Sequence, residues 1–162
     1  MSTIPELSIA LGATLAARHW TAATAESCTG GLVAGAITDT AGSSGWFDRG
    51  FVTYSNEAKV ELLGVRAETL ARHGAVSEAT AREMVAGALE RSLASIAVAV
   101  TGIAGPGGGT ADKPVGLVWF AWGIRGVSVE AISHRFPGDR AAVREASVGV
   151  ALAGLLERAG PR

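Results

Sequence analysis

The run Ser95-Ile-Ala-Val-Ala-Val100 is apolar at every position after its serine, and it opens directly into a loop with five glycines between Gly102 and Gly109. A strand with no polar face fits the centre of a sheet that is covered by helices on both sides. The flanking pattern supplies those helices. Leu7, Ala10, Leu11 and Leu15 recur at helical spacing within 6–19, ahead of a short strand at 21–25. "GLVAGAITDT" at 31–40 reads as a second helix, stopped by Gly42 and Gly45, and Phe51, Val52, Thr53 and Tyr54 give strand character to 47–54. Ser55 then caps a short helix closed by Gly64, and Ser77 caps a longer one ending near Arg91.

Two further strands, 115–124 and 127–136, are joined by Arg125-Gly126, a connection short enough to be a hairpin and therefore antiparallel. The final helix, 139–158, carries Val143, Ala146, Val150 and Ala153 on one stripe and Leu152, Leu155 and Leu156 on another, a face too broad for one-sided packing. The predicted fold is a single α/β domain over 1–162: a three-layer α/β/α sandwich with a mixed, mostly parallel sheet. With 48% hydrophobic and 18% charged residues the chain suits one compact core, and the apolar excess suggests a homo-oligomer interface.

Charge narrows the partners. The net charge is -1 and the 14 basic residues are dispersed, so the footprint of a nucleic-acid binder is missing. No apolar run approaches the ~18 residues that span a bilayer, and the start lacks a basic leader, which predicts a cytoplasmic protein with no membrane partner. Cys28 is the single cysteine, so no internal disulfide or cysteine-rich zinc site is available. Neither H-x-x-x-H nor H-E-x-x-H occurs, and no metal is predicted.

The stretch Ala25-Glu-Ser-Cys-Thr-Gly-Gly31 follows a predicted strand and precedes a predicted helix, where open α/β sheets place their ligand sites. Spacing alone favours an ordinary helix cap at Ser27 or Thr29, and also admits Ser27 as a nucleophile with backbone N–H groups of Thr29, Gly30 and Gly31 around an oxyanion. Cys28 competes, since a thiol at a helix N-terminus can lose its proton readily, but neighbouring residues leaving a strand point to opposite sides. His19 and His73 stand at helix ends and His134 lies in no triad-like context, so Lys59 is the other candidate base, with a surface lysine bordering a surface tyrosine as the alternative. With Ser55 as N-cap, Tyr54 and Lys59 take the two positions of a hydrophobic staple, and a lysine there would have its charged form disfavoured. Beyond the apolar run, the loop 101–110 offers backbone for a phosphate or sugar, and Arg140 in "FPGDR" offers a phosphate clamp; a flexible excursion and a solvated arginine are the alternatives.

Five blocks in order, "TAESCTGG" (24–31), "GFVTYSNEAKVELLGV" (50–65), "AVSEATAREMVAGAL" (75–89), "AVTGIAGPGGGTADKPVGLVWFA" (99–121) and "FPGDRAAVREASV" (136–148), closely resemble the C-terminal domain of the competence/damage-inducible protein CinA. Stand-alone members of that family are nicotinamide-nucleotide amidases. The resemblance implies hydrolysis of nicotinamide mononucleotide to nicotinate mononucleotide and ammonia, with a small-molecule nucleotide as partner, no cofactor, and a homodimer as the plausible assembly. It implies catalytic roles for Ser27, Lys59, Tyr54 and Thr101, with Thr101 orienting the lysine or the tyrosine. It implies substrate contacts at Thr29, Gly30, Gly31, Gly102, Gly105, Gly107, Gly108 and Arg140.

Overall fold

The computed structural model describes residues 2–160, so the outermost positions of the expected 1–162 domain lie outside the described residues. Its sheet has five strands: β1 (Ala22–Glu26), β2 (Phe47–Val52), β3 (Ile96–Gly102), β4 (Leu117–Ile124) and β5 (Ser128–Arg135), in the spatial order β2-β1-β3-β4-β5. β1 pairs in parallel with β2 and β3, while β4 runs antiparallel to both β3 and β5. Four strands thus point one way and β4 alone is reversed. Helices α1 (Ile4–Arg18), α2 (Leu32–Thr38) and α6 (Arg140–Ala159) cover one face, and α3 (Asn56–Leu63), α4 (Ala67–His73) and α5 (Glu78–Glu90) lie on the other. This is the expected three-layer, mixed α/β/α arrangement.

The two faces are built from side chains of different size, because strand residues alternate between them. Ile96, Val98 and Val100 of β3, with Val118, Phe120 and Trp122 of β4, fill the layer under α1 and α6. Ala23, Ala25, Ala97, Ala99 and Ala121 point the other way, toward α5. The same alternation sorts the residues that leave β1. Ala25 faces the α3 and α5 side, so Ser27 follows it there, while Glu26 and Cys28 turn toward α2 and α6.

Several boundaries differ from expectation for local reasons. α1 begins at Ile4 because Thr3 and Glu6 form a reciprocal capping box with Pro5 in the first turn. β2 stops at Val52, since Ser55 Oγ accepts the Ala58 N–H at 3.0 Å and commits the chain to α3. Thr53 still donates its N–H to the Glu26 carbonyl at 2.8 Å, which extends the ladder by one bond. α4 follows Arg66, which provides no side-chain cap, and its start is correspondingly silent in the sequence. The short 3₁₀ turn Ser43–Gly45 also lies outside the expected elements.

Helix α3 sits against α5 at a glycine. A Cβ at Gly87 would lie 1.9 Å from the carbonyl oxygen of Leu63, a backbone atom that cannot rotate away. Gly87→Ala is therefore expected to push α3 off α5 and to destabilise the fold by about 1–3 kcal/mol. Urea unfolding should show a lower midpoint than wild type; an unchanged midpoint would refute the close approach.

Candidate active site

Lys59 lies in the second turn of α3, yet only 1% of its surface is accessible. Its helix leans on α5, so the side chain runs inward to the end of β1. Lys59 Nζ lies 3.0 Å from Ser27 Oγ and donates to the Thr53 carbonyl at 2.9 Å. No carboxylate forms a salt bridge with it among the described residues. Burial therefore pushes the pKa of Lys59 below its ordinary 10.5. The lowered pKa agrees with the sequence expectation; its cause is desolvation rather than an aromatic neighbour.

Ser27 and Lys59 open onto a cavity of about 280 Å³. Tyr54, Thr101, Gly102, Gly105, Gly107, Gly108 and Arg140 line it, so three distant segments of the chain meet there. Arg140 draws two of them together, donating from Nη1 to the Gly105 carbonyl at 2.7 Å and from Nη2 to Tyr54 Oη at 2.9 Å. The Tyr54 hydroxyl is thus held by Arg140, at the exposed rim, and not by the lysine. Thr101 Oγ1 donates to the Ala75 carbonyl at 2.8 Å, and the backbone group that Lys59 Nζ meets is the Thr53 carbonyl. Within the glycine loop, no backbone carbonyl of the described residues takes up the N–H groups of Ala104, Gly105, Gly107 or Gly108, which leaves them free for an anion.

Thr29, Gly30 and Gly31 do not line this cavity, contrary to the sequence expectation. Gly31 borders a different groove, with Ile4, Leu32 and Val148. The Gly30 N–H is spent on the Ser27 carbonyl at 3.0 Å. The start of α2 is already occupied as well: Glu26, fully buried, accepts the Val33 N–H at 2.8 Å and the Ala34 N–H at 3.1 Å. A helix end already holding a carboxylate has little left for a reaction oxyanion. Glu26 and Thr53 are the residues that sequence reasoning passed over; the signal for Glu26 was a carboxylate at a strand end shortly before a helix whose preceding residue, Gly31, has no capping side chain.

Cys28 packs into the core on the α2 and α6 side, and burial pushes its thiol up to about 11. The lowered thiol pKa considered from sequence is thus reversed, although Cys28 also borders the cavity. No group of three His, Cys, Asp or Glu side chains among the described residues is arranged to hold a metal. None of the described helices is long and apolar enough to cross a membrane.

Comparison with known proteins agrees with this geometry. A model of the CinA C-terminal domain family matches residues 5–159. The chain is 57% identical over 154 residues to nicotinamide-nucleotide amidohydrolase PncC of Escherichia coli strain K12, spanning 93% of this chain and 92% of that protein. It is 58% identical over 139 residues to a protein of the same name from Enterobacter agglomerans, with 86% and 85% covered. The crystal structure of competence/damage inducible protein CihA from Agrobacterium tumefaciens superposes with a TM-score of 0.94 at 51% identity, covering 97% of this chain and 96% of that one. A match that takes in every helix and strand from α1 to α6, joined to the fold and the residues at its cavity, identifies the chain as a member of the CinA C-terminal domain family.

Proposed function

We propose that this protein hydrolyses the carboxamide of nicotinamide mononucleotide, releasing nicotinate mononucleotide and ammonia, with Ser27 as nucleophile and Lys59 as base. The observation that carries the reading is a buried amine without a carboxylate partner among the described residues, 3.0 Å from a serine hydroxyl at a cavity wall. The names of the PncC relatives supply the substrate class.

A neutral amine has one lone pair and two N–H bonds. Charged, Lys59 Nζ donates to both Ser27 Oγ and the Thr53 carbonyl; neutral, it would keep the bond to Thr53 and turn its lone pair to the Ser27 hydroxyl proton. As Oγ attacks the amide carbon, its proton passes to Lys59 Nζ and the carbonyl π pair moves onto oxygen. Of the free N–H groups in the loop, that of Ala104 is the donor we assign to that oxyanion. When the C–N bond breaks, the Lys59 ammonium protonates the departing nitrogen and ammonia leaves. Water then attacks the acyl-serine ester, giving a proton to Lys59, and collapse breaks the C–Oγ bond and returns the proton to Ser27. Arg140 and the loop at Gly105, Gly107 and Gly108 would hold the ribose phosphate end.

Incubated with nicotinamide mononucleotide, the wild-type protein should release ammonia stoichiometrically with nicotinate mononucleotide. Ser27→Ala should lose about a thousandfold or more in kcat, and Lys59→Met about a hundredfold or more, while Cys28→Ala keeps the reaction. Full activity in folded Ser27→Ala would refute the nucleophile; binding without turnover by wild type would mark a nucleotide-binding module instead.

The lowered pKa of Lys59 makes two pH predictions. The reactive form is the neutral amine, so kcat/KM should rise with pH to an inflection below 10.5, and a profile that is flat or falling there contradicts it. Between the folded pKa and 10.5 the unfolded chain binds more protons at this lysine, so stability should rise with pH across that window. Thermal melts should accordingly show wild type gaining on Lys59→Met as the pH approaches 10.5; a constant difference would mean the lysine is not desolvated.

A further inference from the structure

We propose that Glu26 is a positioning residue, which holds Ser27 within reach of Lys59; the inference rests on the amidase reading above. Its carboxylate is fully buried and has no cationic partner among the described residues. It acts as the cap that α2 otherwise lacks, because the preceding residue, Gly31, offers no side-chain bond. Between Glu26 and α2 run the residues 27–31, where Gly30 (φ 56°) and Gly31 (φ 107°) adopt left-handed conformations. Two adjacent glycines leave such a turn with wide backbone freedom unless both of its ends are tied. One end is tied by β1, through the Ser27 N–H to the Val100 carbonyl at 2.9 Å, the middle by Arg144 on the Cys28 and Thr29 carbonyls at 3.1 and 3.4 Å, and the end that enters α2 by the Glu26 carboxylate on Val33 and Ala34.

The base hangs from the same residue. The Glu26 carbonyl accepts the Thr53 N–H at 2.8 Å, and the Thr53 carbonyl accepts from Lys59 Nζ at 2.9 Å. Glu26 therefore joins the nucleophile's turn through its side chain and the base's anchor through its backbone. Replacing the carboxylate loosens the first link and leaves the second in place. A displacement of Ser27 Oγ of even an ångström should slow proton transfer and attack without changing how the nucleotide binds.

The test compares Glu26→Gln, which sets an amide N–H2 against one of the two backbone donors, with Glu26→Asp, which keeps the carboxylate on a shorter arm. In protein shown by melting to be folded at the assay temperature, Glu26→Gln should lower kcat for nicotinamide mononucleotide by about tenfold or more, with KM within about threefold. The rate constant for sulfonylation of Ser27 by phenylmethylsulfonyl fluoride should fall by a similar factor, and Glu26→Asp should recover part of both rates. Should Glu26→Gln fail to fold, the same split between kcat and KM is read from Glu26→Asp. An unchanged kcat, a loss confined to KM, or a fall in kcat with sulfonylation unaltered would overturn the proposal. If wild type releases no ammonia from the nucleotide, the amidase reading fails while the sulfonylation rates still decide the role of Glu26.

Discussion

The buried amine of Lys59 beside Ser27 Oγ is the contact on which the rest of this structure depends. An ammonium in that place would be costly, since the side chain is almost wholly buried and no carboxylate among the described residues answers it. A neutral amine costs far less and can accept a proton. Each surrounding feature serves to keep the nitrogen there. The alternation of β1 sends Ser27 toward α3, the Ser55 cap starts α3 at the right residue, and the Leu63–Gly87 approach lets that helix lie close to α5.

Much of the fold was legible because its signals are local. The Ile/Val and Ala alternation at 96–100 marks a central strand and also sets the two layer thicknesses; Ser55, Ser77 and Asp139 all accept from backbone N–H groups at helix starts. Arg125-Gly126 sits in the tight connection between β4 and β5, where Gly126 has φ 73°. What stayed hidden depends on contacts between distant residues. The α4 start has no capping side chain to announce it, and the end of β2 is decided by competition between a strand-forming Thr53-Tyr54 pair and the cap that follows.

The candidate site divides in the same manner. Ser27, Lys59, Tyr54, Arg140 and the loop glycines were singled out by residue type and by family resemblance, and the topology brings them to one cavity. Thr29, Gly30 and Gly31 looked equally suited, because a glycine-rich helix start is a familiar anion site. They lie off the cavity, and the helix start that they precede already holds the Glu26 carboxylate on its Val33 and Ala34 N–H groups. That carboxylate lies seven residues upstream of the Val33 N–H it accepts, beyond the three-residue spacing of a capping box, so a strand-end glutamate before an uncapped helix was its one sign. Cys28 shows the converse: one residue of strand alternation separates a serine on the lysine side from a thiol in the core.

The most direct measurement is the titration of Lys59 itself. The chain has only two lysines, Lys59 and Lys113, so nitrogen-15 and carbon-13 labelling of lysine gives two side-chain signals, assigned by Lys113→Arg. The account predicts that the Lys59 signal titrates below 10.5 and that its midpoint coincides with the inflection in kcat/KM for ammonia release. A Lys59 midpoint at or above 10.5, with turnover unaffected, would contradict a neutral lysine as the base.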